Sequence, residues 1–167
     1  AADPSNTQAL MVLARIQARK GDLKAAKGYL EKAELAGAPA LQLTLEWAGL
    51  QLITGNPGEA RVLVEKALVM EPDHLRAWLM QAAILMQQNE AAALEKTLER
   101  IVKLNGGLVY APLIRGEMAM RQNDFDRARR HFEEALNANP NSRSVLEQIV
   151  RIDVAQARRD DADRHIL

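Results

Sequence analysis

The stretch from residue 121 to residue 142, RQNDFDRARRHFEEALNANPNS, concentrates the side chains in this chain that could do chemistry. It contains four arginines, one histidine and a pair of adjacent glutamates. Such a set could bind a nucleic-acid backbone, hold a metal ion through the histidine, or supply carboxylates for acid–base catalysis. Each possibility depends on which elements position these side chains and on what else in the chain they resemble.

Charge balance argues against nucleic acid. The four arginines of this stretch are matched in number by four acidic residues. Two arginine–glutamate pairs have the four-residue spacing of ion pairs on an exposed helix, namely Arg129 with Glu133 and Arg130 with Glu134. The whole chain has 22 basic and 22 acidic residues, so its formal net charge is zero. Because a nucleic-acid site needs uncompensated positive charge along the backbone path, the sequence predicts no nucleic-acid partner.

Metal, phosphate and catalytic motifs are incomplete. His131 and His165 lie 34 residues apart and could share a surface, but no HExxH pattern supplies further metal ligands. The Gly106-Gly107 pair is not followed by the Lys-Ser/Thr that a phosphate-binding loop requires. The sequence therefore predicts no metal, no cofactor and no catalytic residue, and the chain is interpreted as a non-enzyme.

Composition favours a helical fold. Hydrophobic residues form 48% of the chain but aromatic residues only 4%, so alanine and leucine supply most of the apolar side chains. Cysteine is absent, which excludes disulfides and suits either the cytoplasm or the periplasm. No apolar run is long enough for a membrane span, so direct membrane insertion is not expected.

The chain repeats itself at a constant step of 34 residues, without gaps. Four columns of the repeat are an alanine-rich column, a large apolar column, a second small-residue column, and a Gly/Asn column suited to a turn. Their members are Ala26, Ala60, Leu94, Ala128 and Ala162; Leu30, Val64, Leu98, Phe132 and Ile166; Ala33, Ala67, Ile101 and Ala135; and Gly21, Gly55, Asn89 and Asn123. This period predicts a repeat array in which each unit is two helices joined by a short turn.

These columns, with small residues at Ala14, Ala48, Ala82 and Gly116 and with Pro72 and Pro140 as stops, resemble the tetratricopeptide repeat family. The resemblance implies an all-α fold, a right-handed superhelical solenoid of stacked antiparallel helix pairs. Its repeats would cover about 7–40, 41–74, 75–108, 109–142 and an incomplete 143–167. Trp78 is the one tryptophan at the family's early position, and Val150 replaces the small residue of the last repeat.

The register also bears on the ends of the chain. Asp3-Pro4 matches the end of a preceding repeat, and Leu167 would fall inside a second helix. We interpret the chain as an internal slice of a longer protein, because repeat arrays usually finish with a capping helix. The exposed face of the last repeat is expected to permit self-association.

By the same resemblance, the first helix of each repeat lines the concave side of the superhelix, where a partner would bind. The expected groove is apolar, with two methionines at its centre and charged side chains at its edges, and it suits an amphipathic or extended apolar segment. Its candidate residues are Met11, Arg15, Arg19, Leu45, Gly49, Leu52, Ile53, Arg76, Leu79, Ala83, Met86, Gln87, Tyr110, Leu113, Glu117, Met120 and Arg121. Met11 and Arg15 stand where some family members carry the Lys and Asn that grip a peptide carboxylate, so that type of binding is not expected.

The resulting hypothesis is a non-catalytic protein–protein interaction scaffold whose groove binds a protein or peptide segment. Two alternatives remain open at this point. The array could be a structural or periplasmic scaffold within a bacterial secretion or polysaccharide-export protein, or it could be an accessory arm of a larger enzyme.

Overall fold

A computed structural model of the chain describes residues 6–104 and 107–166, with side chains except at residue 107 and residues 158–166. The described residues form helices and no strand, which confirms the predicted all-α class. The helices are α1 Thr7–Arg19, α2 Leu23–Leu35, α3 Ala40–Ile53, α4 Pro57–Met70, α5 Leu75–Gln87, α6 Ala91–Lys103, α7 Tyr110–Arg121, α8 Phe125–Ala138 and α9 Arg143–Ile166. None of them, over these residues, combines the length and the apolar composition needed to cross a bilayer.

The turns inside the repeats explain the regular helix boundaries. The second helices α2, α4, α6 and α8 begin 34 residues apart. Before each of them a glycine or asparagine has a positive φ: Gly21 at 84°, Gly55 at 78°, Asn89 at 57° and Asn123 at 57°. A positive φ cannot continue a right-handed helix, so the first helix ends at this residue. Glycine and asparagine adopt a positive φ more readily than other residues.

Aspartates then start the second helices in two repeats. The Asp22 carboxylate accepts a hydrogen bond from the Ala25 backbone N–H at 2.9 Å. The Asp124 carboxylate accepts one from the Arg127 backbone N–H at 3.1 Å. Each cap satisfies an N–H group that has no partner within the helix.

The last helix departs from the repeat. The register places a turn near Ala157 and a second helix after it, but α9 continues without interruption from Arg143 to Ile166. Alanine is a strong helix former and does not favour the positive φ that Gly21 or Asn123 adopts at this column. The expectation that the chain ends within a separate second helix is therefore wrong for the described residues.

The chain divides into two compact units, Ala1–Leu94 and Glu95–Leu167, with the boundary inside α6. In the N-terminal unit, α1 packs on α2, α3 packs on α4, and the first helices α1, α3 and α5 are neighbours in that order. Small buried side chains such as Ala14 and Ala48 belong to the same core clusters as Leu30 and Val64 of the second helices. The core of this unit thus lies between the two layers of helices.

In the C-terminal unit, α8 packs against both α7 and α9. Phe132, Val145 and Ile152 are fully buried in its core. On the surface, Arg129 donates a hydrogen bond to the Asp153 carboxylate of α9. The predicted pair of Arg129 with Glu133 is therefore replaced by a cross-helix contact, because packing of α9 on α8 brings Asp153 within reach.

Candidate functional site

Glu46 is the one charged residue of α3, whose other residues are apolar or neutral. Its side chain is only 5% exposed, although α3 belongs to the layer of first helices. A carboxylate removed from water is costly unless positive groups or hydrogen-bond donors surround it. Its partners therefore define the chemistry of this part of the N-terminal unit.

Two arginines from the neighbouring first helices meet this carboxylate. Arg76 of α5 donates a hydrogen bond from Nη1 to Glu46 Oε1 at 2.8 Å. Arg15 of α1 approaches from the other side, with Nε 3.6 Å from Oε2. The two arginine side chains stay 40% and 47% exposed, respectively, so each guanidinium is anchored at one point and otherwise reaches solvent.

These groups line an open cleft in the N-terminal unit, of about 500 Å³ when the space continuous with solvent is included. Its wall combines small and aliphatic residues with three arginines and one glutamate. The lining residues are Ala14, Arg15, Ala18, Arg19, Ala26, Leu30, Glu46, Gly49, Leu50, Ile53 and Arg76. Three positive charges against one negative charge give the cleft a net positive character.

Gly49 lines the cleft with backbone atoms alone. A Cβ at this position would meet only Met80 Cε, at 3.9 Å, which is an ordinary van der Waals contact. No close packing contact therefore requires a glycine at this position of the cleft lining, which it shares with Arg15, Ile53 and Arg76.

The candidate residues of the N-terminal unit divide by burial. Met11 and Leu45 are 3% and 1% exposed and belong to the core, so a partner cannot reach them in this structure. They face the neighbouring helices, as members of the clusters around Leu30 and Ala67. The other candidates of this unit are at least partly exposed: Arg15, Arg19, Gly49, Leu52, Ile53, Arg76, Leu79, Ala83, Met86 and Gln87.

The candidates of the C-terminal unit lie on α7. Tyr110 and Arg121 are exposed and Glu117 is partly exposed, whereas Leu113 and Met120 are half-buried and pack against the core. Partial burial raises the pKa of the Glu117 carboxyl, and the positive charge of Arg121 offsets part of that rise. This face therefore combines an aromatic, an acidic and a basic side chain around a half-buried apolar strip.

The lining of the cleft includes an ion-paired cluster that the sequence did not predict. Arg15 and Arg76 meet over Glu46, among small and aliphatic lining residues. Glu46 was missed by the reasoning from sequence. The available signal was its position as a lone charge in an apolar helix, since such a residue needs a partner when buried.

The histidines do not form a metal site in the described part of the chain. No group of three or more potential metal-binding side chains occurs there. His74 instead caps α5, with Nδ1 accepting a hydrogen bond from the Ala77 N–H at 3.3 Å, and His131 lies 3.5 Å from Glu134. The side chain of His165 lies outside the described residues, as does Gly106 of the Gly-Gly pair.

Comparison with protein-family models gives three matches, each to a model described as tetratricopeptide repeat. They cover residues 7–35, 46–107 and 113–142, and so most of the chain. Among curated proteins, no match was found.

Solved structures resemble this chain over nearly its full length. A tetratricopeptide repeat protein from Parabacteroides merdae matches with a TM-score of 0.69 and 20% identity, over 98% of this chain and 64% of that protein. PilF of Pseudomonas aeruginosa matches with a TM-score of 0.68 and 18% identity, over 95% and 72%. YrrB, described as having an unusual peptide-binding site, matches with a TM-score of 0.60 and 17% identity, over 87% and 75%. At these identities the likeness supports the fold.

Proposed function

Because the chain belongs to the tetratricopeptide repeat family, we propose that it is a non-catalytic protein–protein interaction scaffold. The partner is a protein or peptide segment that binds to the first helices. In the N-terminal unit it contacts the cleft over Glu46 and partly exposed side chains of α5. The C-terminal unit has a contact surface of its own on α7, formed by Tyr110, Glu117 and Arg121.

The observation that carries this proposal is the cleft over Glu46. A peptide-binding surface needs a concavity, an apolar wall and a few positioned polar groups. Here Leu50 and Ile53 supply the wall, and the anchored guanidiniums of Arg15 and Arg76 supply the polar groups. This arrangement lacks the paired nucleophile and base that catalysis would need, which favours a binding role.

The test compares partner capture by the chain and by a variant of α5. Leu79→Glu combined with Met86→Glu places two negative charges on half-buried positions of the proposed surface. Proteins retained by each immobilised form from a lysate are quantified by mass spectrometry. We expect the double variant to lose the specific partners while circular dichroism shows unchanged helical content.

A matched control separates surface chemistry from unfolding. Val62 and Val69 of α4 are 65% and 83% exposed, so Val62→Glu with Val69→Glu makes the same change of charge on a second helix. This control should retain the partners. Equal capture by all three proteins would contradict the assignment of the binding surface.

Self-association through the last helix is a second part of the proposal. The exposed side chains Leu146, Val150 and Val154 follow one another at four-residue steps on α9, the spacing of one helix face. Apolar side chains aligned in this way favour contact with another apolar surface, such as the same stripe of a second copy.

A further inference from the structure

The lining of the cleft carries more positive charge than is needed to balance Glu46. Glu46 is its one acidic lining residue, and it is already satisfied by the hydrogen bond from Arg76 and the ion pair with Arg15. Arg19 lines the same cleft and has no ion pair among the described residues. Two positive charges therefore remain uncompensated on the lining.

The guanidinium groups also keep most of their donors. An arginine has five N–H donors, and Arg76 uses Nη1 for its hydrogen bond to Glu46 while Arg15 approaches the same carboxylate through Nε. Because both side chains remain about half exposed, their other donors can hydrogen-bond to a ligand. Guanidinium groups in this situation recognise carboxylates with two parallel hydrogen bonds.

The positions of the arginines favour a ligand with more than one carboxylate. Arg15 and Arg19 are one turn apart on α1, whereas Arg76 comes from α5, on the far side of α3. Glu46 offsets one of the three positive charges, so two further carboxylates would balance the lining, and guanidiniums on both sides of α3 could receive them. Leu50 and Ile53 line the same cleft as the arginines and supply aliphatic contacts for such a ligand.

We propose that the cleft over Glu46 binds an acidic segment of a partner protein through the side-chain carboxylates of at least two Asp or Glu residues, with an aliphatic residue between them. Arg19 and the outer donors of Arg15 and Arg76 bind the carboxylates. Glu46 is a positioning residue that holds two of these arginines in place. The inference rests on the proposed binding function and gives the chemistry of the partner.

The experiment is a selection from a peptide library by the full chain, followed by affinity measurement with labelled peptides. Peptides are presented internally, with no free carboxyl terminus. We expect enrichment of acidic residues spaced by aliphatic ones, and an affinity that falls as salt concentration rises. A selected set without acidic enrichment would overturn the acidic specificity and leave the scaffold proposal standing, whereas a failure to select any peptide would overturn both.

Three substitutions locate the binding. Arg19→Glu changes a cleft residue that has no ion pair, and it should weaken acidic peptides by about tenfold. Lys66→Glu makes the same change of charge at an exposed residue of α4, outside the cleft, and should leave the affinity within about twofold. Gly49→Leu should also weaken binding, since it adds a bulky side chain at a lining position without changing charge.

A charge-swapped peptide guards against misfolding of the variant. If the acidic residues of a selected peptide are replaced by lysine, the Arg19→Glu protein should bind it better than the unmodified protein does. Acidic peptides that bind Arg19→Glu as tightly as the unmodified chain would overturn the site. So would binding that requires a free terminal carboxylate, or a preference for single-stranded RNA that is lost in the same variant.

Discussion

The ring of Phe132 on α8 lies so close to Gly116 on α7 that a Cβ at residue 116 would be 2.5 Å from Phe132 Cε1. Other repeats carry a different combination at these two columns, with Ala14 and Leu30 in the first repeat. The largest residue of the second-helix column is therefore matched by the smallest residue of the first-helix column. Close approach of the paired helices is maintained by this exchange of volume.

Gly116→Ala should destabilise the protein. The added methyl group cannot fit beside the buried Phe132 ring, and overpacking of this kind costs roughly 1–3 kcal/mol. The better helix propensity of alanine returns about 1 kcal/mol at most. A net loss of roughly 1 kcal/mol in the free energy of unfolding is expected in urea titrations.

Two controls make this prediction specific. Gly49→Ala has room beside Met80 Cε and should be neutral or stabilising by up to about 1 kcal/mol. Phe132→Leu should make Gly116→Ala less harmful, which a double-mutant cycle measures as a coupling energy. If Gly116→Ala proved as stabilising as Gly49→Ala, the close contact with Phe132 would not limit the packing.

The repeat made most helix boundaries predictable, because each unit has a glycine or asparagine at the same turn position. Gly21, Gly55, Asn89 and Asn123 suit a turn by their own backbone preferences, so their spacing alone locates it. Ala157 shows the limit of that reasoning. The period of the array continued to that column in register, but the residue there no longer favoured a turn, and the helix continued.

The candidate site was less predictable than the fold. Arg76 follows Glu46 by 30 residues, and Arg15 precedes it on a third helix. Their convergence depends on how α1, α3 and α5 pack, which is a tertiary property that no local pattern records. Burial of Met11 and Leu45 has the same origin, since side chains at the edge of a helix face can turn toward a neighbouring helix or toward solvent.

Glu46→Gln should lower the stability of the N-terminal unit. The amide has nearly the same shape as the carboxylate but removes the charge that Arg15 and Arg76 share. Hydrogen bonds to charged groups contribute about 1.5–3 kcal/mol, and the exposure of both arginines places the expected loss near the lower end, at roughly 1–2 kcal/mol. Thermal and urea unfolding at moderate salt would measure it.

The two arginines should differ in this test. Arg76→Gln removes a 2.8 Å hydrogen bond, whereas Arg15→Gln removes a 3.6 Å ion pair, so the first should be the more destabilising. Equal and negligible effects of all three substitutions would show that the cluster does not stabilise the packing of α1, α3 and α5.

Glu117→Gln should make stability less dependent on pH. Burial raises the pKa of Glu117 in the folded protein above its ordinary value of 4.5, despite the opposing charge of Arg121. At a pH below both the unfolded and folded values the group is neutral and costs nothing, and above both it is ionised and destabilises the folded state. The cost therefore appears as pH rises from about 4.5 through the higher folded value.

The measurement is the difference in melting temperature between Glu117→Gln and the unmodified chain, from about pH 4 to about pH 7.5. The variant should gain relative stability toward neutral pH, by a small amount because Glu117 is partly exposed. Glu133→Gln, at an exposed residue of α8, serves as a control for the loss of one negative charge. A difference that is constant across pH, or that has the opposite sign, would contradict the prediction.

Val150→Lys should abolish self-association if the stripe on α9 mediates it. Leu146, Val150 and Val154 are 45%, 57% and 46% exposed, so a charge at the central position would have to be desolvated in any contact between copies. Three partly exposed side chains support only weak association, with a Kd on the order of 0.1 mM, because most of their burial energy offsets lost translational freedom.

Sedimentation equilibrium over a range of concentrations should show a mass that rises for the unmodified chain and stays monomeric for Val150→Lys. Val69→Lys, a substitution at an 83% exposed valine of α4, should behave as the unmodified chain does. A monomeric mass for the unmodified chain at every concentration would rule out this stripe as an interface between copies, while equal association of both variants would place the interface elsewhere.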